Sequence, residues 1–244
     1  MDKVLKIKRV NNPLRLIKIV AFLLAALFSI NVSAQDNGAE KFYKMKTIPF
    51  ALKSYNDPQK VEMKGDSVIK ITAKGETNLF NNPDGYSNVQ NVQNAPMLLF
   101  HPDSSNFVFS AKVSGTLKQV YDVAALVVYQ DKDLWAKLCY ENSAGSEATV
   151  VSVITRKYSD DCNSITVSGS FVYLALAKRG NEYSFHCSKD NKNWELIRHF
   201  RLDTADDKLM IGFAVHAFMK NSFSAEFSEI KYSRVSTNNM RYLR

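Results

Sequence analysis

The stretch 121–141, YDVAALVVYQDKDLWAKLCYE, constrains this chain more than any other part of it. It reads as two strands joined by a polar turn at Asp131-Lys132-Asp133. Successive strand side chains face opposite sides of a sheet, so Leu134, Ala136, Leu138 and Tyr140 point one way, and Trp135, Lys137, Cys139 and Glu141 the other. The first set suits a core. The second puts an indole, an ammonium and a carboxylate in one row, which makes it the leading site candidate. Unpaired charges avoid a core, so Lys137 and Glu141 argue against full burial of Trp135.

Strand signals recur on both sides of this hairpin. They include IPFALKSY, SVIKITA, FVFSAKV, TVVSVIT, FVYLALAK, EYSFHCS and WELIRHFRL, punctuated by turns such as Asn56-Asp57-Pro58, Arg179-Gly180-Asn181 and Asp190-Asn191-Lys192-Asn193. About a dozen strands at roughly 8–12-residue spacing, with no convincing long helix, indicate an all-β sandwich or barrel. No Pro- or Gly-rich linker divides it, so one domain is expected. Two polar stretches, 74–95 and 156–170, read as long loops and as candidates for lining a site.

The N-terminus carries a different signal. Lys3, Lys6, Lys8, Arg9, Arg15 and Lys18 precede an apolar run of 12 residues over 19–30, and Val32-Ser33-Ala34 then offers small residues for cleavage. That order predicts a secretory signal peptide over 1–34. A spanning helix would need about 20 apolar residues. Removing 1–34 takes the net charge from +8 to near +3, so the basicity belongs mostly to the export signal and supports neither nucleic-acid nor membrane binding. The expected location is the bacterial periplasm or the exterior. A polar leader over 35–46, a sandwich over 47–233 and a tail over 234–244 complete the layout. Cys139, Cys162 and Cys187 are an odd number for an oxidising compartment and are read as free, mostly buried thiols with no metal spacing.

Glycoside hydrolysis needs two carboxylates at a defined separation. Glu141 stands alone on its strand, Asp160-Asp161 and Asp206-Asp207 read as loop residues, and Asp122 is the one other acid near a strand start. No GxSxG elbow or HExxH pair occurs. No catalytic residue, metal site or cofactor is assigned. Binding asks less: an aromatic face beneath sugar C–H groups and a few polar groups for the hydroxyls. Trp135 supplies the face. Lys137, Glu141, His186 and the amides Asn78, Asn81 or Asn82 supply the polar part.

The ordered series TNLFNNPDG (77–85), NAPMLLF (94–100), FVFSAKV (107–113), the 121–141 hairpin, VVSVITRKYSDDCNS (150–164), VYLALAKRGNEYSFHCSKDNKNW (172–194) and IGFAVHA (211–217) resembles the uncharacterised proteins labelled "regulation of enolase protein 1-like". The resemblance covers about 47–233. It implies a concanavalin A-like jelly roll of two antiparallel sheets and a carbohydrate link. Similar sandwiches occur as accessory modules of some β-xylosidases. The W-x-K-x-x-x-E row is matched at Trp135, Lys137 and Glu141, and Tyr173 matches an expected aromatic. Ala175 stands where an Arg is expected, which removes a hydroxyl-binding fork. The reading is an exported, non-catalytic carbohydrate-binding sandwich for an oligo- or polysaccharide, with Trp135, Lys137, Glu141, Tyr173, His186 and Asn78 lining one groove. The alternatives are a glycoside hydrolase-like enzyme and a structural or protein-interaction sandwich.

Overall fold

The computed structural model describes residues 40–84, 92–234 and 239–243. The segment read as a signal peptide and residues 35–39 of the leader lie outside the described residues. Within them every regular element is a strand, 17 in all. Eight form one antiparallel sheet in the order β1 (Phe42–Met45), β2 (Ile48–Tyr55), β7 (Met97–Phe100), β16 (Met210–Ala217), β9 (Asp122–Asp131), β10 (Leu134–Asn142), β11 (Ala148–Arg156), β12 (Tyr158–Thr166). Seven form the other, in the order β15 (Glu195–Arg201), β14 (Glu182–Ser188), β13 (Phe171–Arg179), β8 (Asn106–Gly115), β17 (Phe223–Ser233), β4 (Val68–Ala73), β3 (Lys60–Lys64). The two-sheet antiparallel sandwich expected from strand spacing is the fold observed.

The expected alternation sets the core. Leu126, Val128, Ala136, Leu138 and Tyr140 face Phe109, Leu174, Leu176, Phe185 and Phe227 of the opposite sheet. Aromatic rings carry the contact across the gap: Phe213 lies 4.5 Å from Phe227 and 5.4 Å from Phe109, centroid to centroid. Such pairs add about 0.5–1.5 kcal/mol each beyond the area they bury. The turn between β9 and β10 is closed by Asp131, whose Oδ1 accepts from the Asp133 and Leu134 amides at 2.9 and 3.0 Å.

Three sequence expectations change. First, 156–170 is largely strand β12. It pairs with β11 from Thr149–Thr166 to Arg156–Tyr158. It reads as loop because an edge strand exposed to water carries polar residues on both faces and shows no alternation. Second, the sandwich begins inside the expected leader, with β1 against β2. It also continues into the expected tail, where Met240 is buried and its carbonyl accepts a hydrogen bond from His186 Nε2 at 3.1 Å. Third, 74–95 contains a small hairpin, β5 (Leu79–Phe80) and β6 (Val92–Gln93), that lies over the outer face of the eight-stranded sheet.

This flap explains the burial of the Trp135 row. Leu79 and Ala95 pack on Trp135, Cys139, Val127, Val151, Val153 and Ala214, making a second apolar cluster outside the main core. The central strand β9 is therefore buried on both faces and reads as the near-continuous apolar run VAALVV. One end of the flap is pinned to β16: the Thr77 amide donates to Ala217 O at 3.0 Å, and the Ala217 amide donates to Thr77 Oγ1 at 3.1 Å. Gly75 permits this approach, since a Cβ there would meet Lys220 O at 2.0 Å. The other end is pinned by Asn81. Its Nδ2 donates to Lys132 O and Lys157 O at 3.0 and 2.9 Å, its Oδ1 accepts from Gln93 Nε2 at 2.6 Å, and its backbone exchanges hydrogen bonds with Ser159.

Asn81→Ala removes three side-chain hydrogen bonds at once, those with Lys132 O, Lys157 O and Gln93 Nε2. It is expected to cost about 2–3 kcal/mol in urea unfolding. Amide exchange is expected to accelerate in 77–81 and 92–95 more than in β9. Uniform acceleration across both regions would show that the flap is not a separable layer.

Candidate functional site

The outer face of the eight-stranded sheet is organised in rows across the strands. Paired positions put His216, Val123, Glu141 and Thr149 in one row, Ala214, Ala125, Cys139 and Val151 in the next, and Gly212, Val127, Lys137, Val153 and Asp161 in the third. The middle row is built of small side chains. That leaves space for Lys137 to lie across it, and its Nζ donates to His216 Nε2 at 3.0 Å. Lys137 is 2% exposed, His216 2% and Glu141 8%. These three, with Asp161, Asn78, Tyr121, Phe80 and Phe218, surround a cavity of about 150 Å3 at one end of the flap.

Each wall has a local cause. Glu141 and Lys137 share a face of β10 because they are four residues apart in a strand. Tyr121 is held at the mouth by the loop before β9, where Asp122 Oδ2 accepts from the Lys118 and Gln119 amides, each at 2.9 Å. Tyr121 itself has φ 63 and packs edge-to-face on Phe218 at 5.7 Å. Asn78 is fixed by its neighbours in the flap: its carbonyl accepts from the Asn94 and Ala95 amides at 3.1 and 3.0 Å.

The electrostatics follow from burial. Burial, with Lys137 adding to it, holds His216 well below the usual histidine range, so the ring is neutral. With Nε2 accepting from Lys137, the hydrogen bond assigns the ring proton to Nδ1. Among the described residues that nitrogen has no partner. Burial pushes the Glu141 carboxyl up to about 7, against the opposing pull of Lys137, and the Asp161 carboxylate adds to the rise. Cys139 beneath them is pushed up to about 12 by burial and is an inert thiol at neutral pH. Near pH 7 the cavity therefore sets Lys137 and a neutral His216 beside the carboxyl groups of Glu141 and Asp161 and three aromatic rings. Hydroxyl groups, which both donate and accept, suit that mixture. No group of three or more His, Cys, Asp or Glu among the described residues is arranged to hold a metal ion.

The structure gathers Lys137, Glu141 and Asn78 at one cavity. It does not bring the other three expected residues there. Trp135 is fully buried under the flap, 5.9 Å from Lys137 Nζ to its ring centroid, and does not line the cavity. Its burial corrects the expectation that charged row-mates would keep it open. A second layer, not the main core, covers it, and Lys137 finds a buried acceptor in His216. Tyr173 and His186 belong to the seven-stranded sheet. Tyr173 Oη donates to Glu229 at 2.9 Å, while His186 bonds Ser184 and Met240, and burial holds it down to about 4. Ala175 pairs with His186 on that sheet, so the absent Arg would not have faced the cavity. His216, Tyr121, Phe80 and Phe218 were not singled out in the sequence, and Asp161 was read there as a loop residue, whereas it lies in β12 opposite Val153. His216 had a signal: in IGFAVHA it shares the parity of Gly212 and Ala214. Asp161 had none, because β12 shows no alternation.

Residues 55–235 match the family described as "Protein of unknown function (DUF1349)". The chain belongs to this family. Among curated proteins none matches it. Among solved structures, a functionally unknown protein from Saccharomyces cerevisiae shares the fold of this DUF1349 chain at a TM-score of 0.69 and 21% identity, over 76% of this chain and 97% of that one. A Bacteroides ovatus protein titled xyloglucan PUL GH43B shares it at a TM-score of 0.59 and 14% identity, over 80% of this chain and 39% of that one. A xylan β-1,4-xylosidase from Bacillus halodurans shares it at 0.52 and 14%, over 67% and 32%. The chain spans about a third of each of these two longer proteins. At such identities the likeness is one of fold, a lectin-like β-sandwich.

The raised Glu141 pKa has a stability consequence of definite sign. Between about pH 4.5 and 7 the unfolded chain has lost this proton and the folded chain has kept it, so stability falls as pH rises through that window. The full effect is on the order of 3 kcal/mol at 1.4 kcal/mol per pH unit. Glu141→Gln is expected to remove that loss. Urea unfolding at pH 5 and pH 8 should show the variant gaining on the parent chain at pH 8, and an equal difference at both values would refute the raised pKa.

Proposed function

We propose that this chain is an exported, non-catalytic carbohydrate-binding sandwich, and that the cavity under the flap receives the end of a saccharide chain. The observation that carries the reading is the buried Lys137–His216 hydrogen bond beside Glu141, at one small cavity that is also lined by three aromatic side chains. Lys137 and Glu141 offer a donor and an acceptor to ligand hydroxyls there. The charges in the cavity nearly balance, which favours a neutral sugar over a strongly acidic one. At about 150 Å3 the cavity is smaller than the ~300–1,000 Å3 of pockets for drug-sized ligands. It fits one terminal unit, with the rest of the chain leaving past Tyr121. The glycoside hydrolases that share this fold are consistent with a carbohydrate partner. Export rests on the basic, apolar and small-residue order of residues 1–34.

A second reading is favoured by one observation. Glu141 keeps a proton near neutral pH beside the Asp161 carboxylate, the division of roles that an acid–base pair requires. Glycoside hydrolysis would use Glu141 as the acid and Asp161 as the base. It ranks second because such a pair must flank a bond between two units, and the cavity is small for that.

A screen on an array of neutral and acidic glycans, followed by calorimetric titration of any hit, tests the proposal. His216→Phe and Lys137→Met are expected to weaken binding at least tenfold, while Tyr173→Phe on the other sheet leaves it unchanged. An array without hits, or hits insensitive to both cavity variants, would overturn the binding reading. Release of reducing sugar that disappears in Glu141→Gln would replace it with the hydrolytic one.

A further inference from the structure

The flap covers only part of the outer face. At its other end lies an open groove of about 610 Å3, within the ~300–1,000 Å3 usual for ligand sites. Its walls include Tyr55, Tyr129 and Tyr158, with Asn56, Gln93 and Lys157. The three tyrosines come from β2, β9 and β12, the second, fifth and eighth strands of the sheet. At about 4.8 Å between strands the groove runs across the sheet for on the order of 20–30 Å. Tyr158 is 45% exposed, an unusual state for a large ring on an otherwise polar edge strand, and Lys157 Nζ sits 5.4 Å from its centroid.

The groove is built from rigid parts. Asn56 Nδ2 donates to Gln93 O and Ala95 O at 3.0 and 3.1 Å. Gln93 Nε2 donates to Lys132 O at 2.7 Å, and Tyr55 Oη donates to Met210 Sδ at 3.0 Å. The Lys132 ammonium is already paired with Asp133 at 2.9 Å. Little free charge remains, and a shape is fixed before any ligand arrives, which lowers the entropy cost of binding. With Lys132 paired, Lys157 is the one remaining charge among the described lining residues, and aromatic faces amid polar rims suit the alternating C–H faces and hydroxyl edges of a sugar chain.

We infer that this groove is a second carbohydrate subsite, binding an extended neutral oligosaccharide across the strands on the far side of the flap from the Lys137–His216 cavity. The inference rests on the carbohydrate reading above and adds to it a separate surface that recognises chain length. Tyr158 is the most exposed of its three tyrosines.

The test is calorimetric titration of the full chain with xylohexaose, cellohexaose and mannohexaose, and with the three corresponding monosaccharides. For at least one hexasaccharide, Tyr158→Ala is expected to weaken binding about tenfold while the monosaccharide affinity stays at the parental value. Tyr158→Phe, which keeps the ring, should bind as the parent does. Tyr158 is exposed on an edge strand, so both variants are expected to fold, and unchanged thermal melts check this. Hexasaccharide binding that falls in Lys137→Met but not in Tyr158→Ala would overturn the groove and leave the cavity standing. Failure of every sugar to bind the parent chain would overturn both. Binding of an acidic hexasaccharide such as oligogalacturonate, with no neutral one bound, would refute the assigned ligand class.

Discussion

The contact of Leu79 and Ala95 with the Trp135 row is the constraint on which the outer face depends. A two-sheet sandwich needs only one buried face per sheet. Here the eight-stranded sheet has two, because a short hairpin roofs part of its outer side. The apolar residues gain burial, and the same roof takes the polar residues among them out of water. Lys137, Glu141 and His216 are therefore desolvated by the flap and not by the main core. Any opening of the flap would rehydrate them together. Asn81 and Thr77, at opposite ends of the roof, thus act on the electrostatics of residues that they do not touch.

Desolvation explains why the three groups differ so much in charge state. Burial alone disfavours every charge, so it neutralises His216 and raises the Glu141 pKa. Lys137 keeps a hydrogen-bond acceptor only because His216 is neutral; an imidazolium there would leave it facing a like charge. The pair is self-consistent in one arrangement, and that arrangement leaves His216 Nδ1 as a directed donor. Burying Lys137, Glu141 and His216 around so small a cavity carries a cost to folding that a purely apolar filling would avoid.

Reading the chain without its structure recovered the parts governed by local alternation. The β9–β10 hairpin, its Asp131 turn and the two faces of β10 follow from period-two patterning, and so does the sandwich. The Trp135, Lys137 and Glu141 row was assigned to the correct face and to the wrong exposure. Alternation reports which side a residue faces, while the number of layers on that side depends on a segment 40 or more residues away. The flap itself looked like a loop because two-residue strands carry no period. Strand β12 was lost because a solvated edge has no apolar side. Grouping Tyr173 and His186 with Trp135 failed for a different reason: parity within a strand does not say to which sheet the strand belongs, and β13 and β14 lie in the other one.

The flap also decides what sort of ligand this face can take. An open outer sheet would present one continuous groove, and a chain could lie anywhere along it. With the roof in place the face is divided into a small cavity at the Lys137–His216 end and an open groove walled by tyrosines at the other. Under the carbohydrate proposal, the cavity end has little room, and its part would be to discriminate between sugar units. Under the same proposal the open end, walled by tyrosines, would gain affinity from further units with less regard to identity. Two surfaces of such different character, held in register by one hairpin that Asn81 and Thr77 fasten down, favour a terminus over the middle of a polymer. The chain end would enter under the flap, and the linear stretch behind it would have to turn around the flap's edge to reach the tyrosines.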